Sequence, residues 1–145
     1  MSTRSATLFV RNGEKFAAVY RHSDGMPEVA GVDIRRFLRD VAAHTDDTRY
    51  TDPTYLAAKY VVWLANKSAR RYHPADAKNA LDFLSVGVID PHHLPGDIDY
   101  LYTLDCSCGF PGIECRNLVE HKLEVVPQIP QGEKPHVWRA SPKLD

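Results

Sequence analysis

"SATLFVRNGEKFAAVYR" (residues 5–21) holds two short β-prone runs, 5–10 and 15–21, on either side of an Asn-Gly pair. Asn and Gly tolerate the positive φ angles that a two-residue turn requires, so the stretch predicts a β-hairpin. Its second strand delivers Tyr20, Arg21 and His22 to the strand end, and "SDG" (23–25) turns the chain. The chain thus opens on antiparallel sheet, which needs helices or a second sheet to cover it.

Beyond the turn, Ile34, Phe37, Leu38 and Val41 recur at i, i+3, i+4 and i+7, the apolar stripe of a helix over about 28–43. Arg35, Arg36, Arg39 and Asp40 are assigned to its other side. A second helix is expected to open with Asp52 as N-cap and Pro53 at its first position and to run to Arg71. It is apolar nearly all round, which predicts a buried central helix. A short third helix restarts at Pro74, and "SVGVID" (85–90) reads as a strand.

The stretch "DIDYLYTLDCSCGFPGIECRNLVEHKLEVV" (97–126) alternates like a meander, with strands over about 98–106, 112–119 and 122–126. Ile98, Tyr100, Tyr102 and Leu104 share one face of the first. From Pro127 the chain carries four prolines and a lone Trp138, the composition of an extended arm. Strands, helices, then strands, without a repeated βαβ unit, predict an α+β fold. Its sheet is mostly antiparallel, hairpin plus meander, with two to three helices on one face. One domain, 1–126, is followed by the arm, 127–145.

Composition narrows the function classes. The 145 residues, 43% hydrophobic and 26% charged, suit one globular domain. No stretch is apolar enough to span a membrane and no leader pattern opens the chain, which makes the cytoplasm the expected location. A net charge of −1 argues against a surface-wide nucleic-acid footprint, so an anion site would be local. Arginine outnumbers lysine eleven to seven, and the planar guanidinium is the better fork for phosphate or carboxylate.

Two polar-aromatic knots are candidate ligand contacts. The first is Tyr20, Arg21, His22 and Asp24; the second is Arg70, Arg71, Tyr72 and His73, where the long helix ends. Arginines hold a phosphate while aromatic rings stack a base. Tyr100 and Tyr102 join this set. Each knot also has a structural account: "SDGMPE" makes a turn and a helix start, and cations at a helix C-terminus complement its dipole. His22 with Asp24 could alternatively serve as an acid–base pair.

His92, His93, Asp97 and Asp99 include metal-ligand atoms without a metal-site spacing, and Cys106, Cys108 and Cys115 lack the Cys-x-x-Cys knuckles of a zinc ribbon. Reduced thiols are expected, and no metal or cofactor is assigned. No Walker loop, Rossmann fingerprint, nucleophile elbow or His-Glu-x-x-His helix occurs.

The N-terminal hairpin ending in "YRHSDGMPE" and the later "DIDYLYTLD" resemble a group of small bacteriophage and prophage proteins. The likeness covers about the first forty residues and 97–105, and Met26 stands where an aromatic is common in that group. The resemblance implies a viral setting in a bacterial cytoplasm, without supplying a chemistry. In that setting three functions are expected. The first is a non-enzymatic anti-defence protein that sequesters a small anionic, nucleotide-like signalling ligand and acts as a homo-oligomer. The second is a protein-protein inhibitor of an immune effector, CRISPR-type systems included, through the Pro-rich arm with Trp138 and the acidic meander. The third is a nucleotide or phosphodiester hydrolase using His22 and Asp24.

Overall fold

The structure, a computed structural model, describes residues 2–44, 51–71 and 84–135, with side chains left out at 44 and 69–71. The elements follow in the order β1 (Ser5–Arg11), β2 (Glu14–Arg21), a π-helical turn (Pro27–Gly31), α1 (Val32–His44), α2 (Pro53–Arg71), β3 (Val86–Ile89), β4 (Tyr100–Asp105), β5 (Gly112–Asn117) and β6 (Lys122–Glu124). The strands form one sheet ordered β3-β2-β1-β4-β5-β6. This is the α+β architecture with a mostly antiparallel sheet, and the exception is the parallel pairing of β1 with β4.

The hairpin forms as its turn residues dictate. Asn12 and Gly13 both adopt positive φ, 51° and 77°. Register then sorts side chains by face. Ser5, Thr7 and Phe9 of β1 align with Arg21, Val19 and Ala17 of β2 and with Tyr100, Tyr102 and Leu104 of β4. This face carries the core: Phe9, Val19, Tyr102 and Leu104 pack with Ile34, Phe37, Leu38 and Val41 of α1 and Leu56, Tyr60, Trp63 and Leu64 of α2. Ala6, Leu8, Ala18 and Tyr20 take the opposite face. The connection from β3 to β4 returns across that face, where Asp97 accepts from the Tyr20 hydroxyl at 3.3 Å and Ile98 is buried.

Asp52 caps α2 as expected, its Oδ1 accepting from the Thr54 backbone N–H at 2.9 Å. Two expectations need correction. The long helix is not buried all round: Tyr55 and Val62 are exposed, because one side of α2 has no element packed over it among the described residues. On α1, Asp40 is not on the solvent side. It is buried, and accepts a 2.8 Å hydrogen bond from Trp63 Nε1 that joins the two helices. The third helix predicted from Pro74 lies outside the described residues.

The stretch "SDGMPE" is architecture. Asp24 has a φ of 56°, and a Cβ on Gly25 would lie 2.9 Å from the Arg4 carbonyl carbon, so only glycine lets the turn cross the start of β1. The turn is pinned by Gly25 N–H to the Thr3 carbonyl, 2.9 Å, and by the Tyr102 hydroxyl to the Gly25 carbonyl, 2.7 Å. The helix start is a wide π turn in which Gly31 makes room for Val126; an added Cβ would stand 2.8 Å from Val126 Cγ1.

Candidate functional site

The predicted knots do not assemble as written. Tyr20 and His22 share the face away from the helices, their rings 6.4 Å apart, while Arg21 between them turns toward α1. Arg21 Nη1 donates to Asp33 Oδ2 at 2.9 Å and its Nε donates to the Ser23 carbonyl at 3.1 Å. Tyr102 has no exposed surface and serves the turn. Tyr100 lines a separate shallow cleft of about 410 Å³ with Asp99, Asn117 and Glu120. The backbone of Arg70 and Arg71 closes α2; their side chains, with Tyr72 and His73, lie outside the described residues.

The candidate metal ligands are spent separately. His93 Nδ1 sits 2.8 Å from Asp90, Asp97 lies between Arg4 and Tyr20, and Asp99 accepts from the Arg4 N–H. No group of three or more His, Cys, Asp or Glu side chains is arranged to hold a metal among the described residues. Cys106 and Cys115 are buried, and burial pushes both thiols up to about 11. Cys108 is exposed.

What the fold does gather is a cationic row centred on α1. Asp33, with no exposed surface, receives Arg21, Arg36 Nη1 at 3.2 Å and the Lys67 ammonium from α2. The ends of β2 and α2 therefore meet through one carboxylate. Burial lowers the pKa of Lys67, and the neighbouring Arg21 and Arg36 push the same way against the pull of Asp33. Cations are crowded here rather than neutralised.

One turn further along α1, Arg36 and Arg39 close on Glu133. Arg36 Nε reaches both carboxylate oxygens at 3.1 and 3.0 Å, Arg36 Nη2 donates at 2.9 Å and Arg39 Nη1 at 2.8 Å. Arg35 completes the row by donating to the carbonyls of Pro127 and Val126 at 2.9 and 3.0 Å. From Pro127 to residue 135 the chain has no helix or strand and is fastened along α1. Residues from 136 on, Trp138 included, lie outside the described residues.

Beside this fork lies an open cleft of about 730 Å³ between α1, the β4–β5 turn and the segment at 128–129. Leu38, Phe110, Ile113 and Ile129 supply apolar walls, and Arg35 and Arg39 supply the charge. The volume falls within the roughly 300–1,000 Å³ common for small-molecule sites, and an apolar wall with a few convergent polar groups is their usual chemistry. In the sequence these arginines fall only on the side of α1 away from its apolar stripe. Their i, i+1, i+4 spacing on one helix was visible, but the carboxylate that reveals their convergence lies almost a hundred residues away. Compared with protein-family models, curated proteins and solved structures, the chain finds no match.

Proposed function

We propose that this chain binds and sequesters a small anionic, nucleotide-like ligand on the arginine row of α1, as a phage-encoded anti-defence protein. The observation that carries the reading is the convergence of Arg36 and Arg39 on a single carboxylate beside an apolar cleft that Arg39 also lines. A planar guanidinium fork that grips a carboxylate offers the same donor geometry to a phosphate. The half-exposed Phe110 ring in the cleft wall gives a flat base a stacking surface. Guanidiniums stay protonated at neutral pH and hold charge without exchanging protons, which suits retention rather than turnover. The phage setting rests on the resemblance of the N-terminal hairpin and the 97–105 stretch.

Calorimetric titration of the full chain with cyclic and linear nucleotides tests this. Arg39→Ala and Phe110→Ala are each expected to weaken binding about tenfold or more, the cost of losing one charge-assisted or stacking contact. Unchanged affinity in both variants would exclude this site, and silence across the panel would reject a nucleotide ligand.

A second reading, inhibition of an immune effector by protein contact, is favoured by one observation. Val119, Leu123 and Val125 stand exposed together around the edge strand β6. Leu123→Lys should then abolish inhibition while leaving nucleotide binding intact.

A further inference from the structure

We propose that the Arg36–Arg39 fork is a phosphate-binding site whose resident occupant is Glu133 of the same chain, so that a ligand phosphate enters by displacing the C-terminal strap. The inference rests on the sequestration reading and goes beyond it by giving the site a built-in competitor.

Glu133 is presented, not merely nearby. Residues 130–133 form a tight turn closed by the Glu133 N–H to the Pro130 carbonyl at 3.2 Å. Gly132 holds the left-handed φ of 86° that bends the chain there. The root of the strap is fixed independently, by Val126 seated against Gly31 and by Arg35 on two consecutive carbonyls. Between root and tip, Gln128 and Ile129 form one wall of the apolar cleft. Displacing Glu133 therefore frees the fork while the root stays bound, and it alters the cleft in the same movement.

The charges favour a more anionic occupant. Among the described residues, Arg21, Arg36, Arg39 and Lys67 pair with three carboxylates, Asp33, Asp40 and Glu133, while the neighbouring Arg35 is held only by backbone carbonyls. A phosphate carries more charge and more acceptor oxygens than the single carboxylate it would replace. The tethered glutamate competes through its high effective concentration, and a strap closed about nine-tenths of the time weakens the apparent affinity about tenfold.

The test uses inorganic pyrophosphate on the full chain, read by calorimetry and by amide hydrogen exchange of residues 128–135. In the unsubstituted protein, saturating pyrophosphate should raise exchange in 128–135. Glu133→Gln should exchange rapidly there without ligand and bind pyrophosphate about tenfold more tightly. Glu120→Gln, which makes the same charge change beside Lys122, should gain nothing. Equal gain in both variants would reduce the effect to net charge and overturn the proposal. So would unaltered exchange at saturation, or an absence of pyrophosphate binding in every form. Nucleotide binding that ignores Glu133→Gln leaves the sequestration reading standing and removes the strap; strap release by pyrophosphate without nucleotide binding does the reverse.

Discussion

Asp33 and Asp97 each gather cationic or donor groups, on opposite faces of the same sheet. Asp33 is sealed beneath Arg21, Arg36 and Lys67 with no exposed surface, whereas Asp97 is half exposed between Arg4 and Tyr20. A carboxylate taken out of water must be matched by partners, and losing either side leaves buried charge; one left in water exchanges its partners for solvent at little cost. Neighbouring residues of β2 feed the two sites, since Tyr20 and Arg21 point to opposite faces.

The largest expected effect comes from neutralising the buried member. Asp33→Asn leaves three cations facing an amide and should destabilise the fold by about 3–5 kcal/mol in urea unfolding. A cost as small as that of Asp97→Asn would break the contrast. Next, Gly25→Ala forces a methyl against the backbone at the start of β1, between the two sites, and should cost about 3 kcal/mol in the same measurement. Lys67→Met sharpens the comparison. Arg21 and Arg36 still match Asp33 without it, and burial and both guanidiniums already oppose this charge, so the free energy of unfolding should change by less than about 1 kcal/mol. Asp97→Asn should change stability by less than about 0.5 kcal/mol, since its pairs are solvent-screened.

The smallest effect is in pH. Arg36 hydrogen bonds hold the Glu133 carboxyl below the usual glutamate range, with burial opposing and Arg39 adding to the pull. A carboxyl lowered in the folded state contributes stability above its unfolded value and loses it as pH falls through the folded one. Protection of the Glu133 amide, taken relative to its intrinsic exchange rate at each pH, should therefore hold through neutral pH and fall only as pH drops below the usual glutamate range.

Local chemistry made much of the fold readable. The Asn-Gly pair fixed the hairpin, the apolar stripe marked α1, and Asp52-Pro53 marked the start of α2. The site was readable only in part, because its meaning lies in partners remote in the chain. Asp33 and Asp40 flank the buried stripe of α1, yet an aspartate there looks misplaced until Arg21, Lys67 and Trp63 are brought to it. The tyrosine-arginine-histidine run announced a cluster that strand alternation divides between two faces. Tyr102 counts in the sequence as a ring that could stack a base, but the fold buries that ring and its hydroxyl donates to the Gly25 carbonyl.

The parallel pairing of β1 with β4 also sets an order of assembly. The β1–β2 hairpin can close as soon as its own residues are available, but the other edge of β1 gains a neighbour only when residues 100–105 arrive. Until then the central strand of the sheet is an open edge with an apolar face, the kind of surface that invites intermolecular pairing. This topology predicts that closure of the long loop between β1 and β4, rather than helix formation, sets the folding rate.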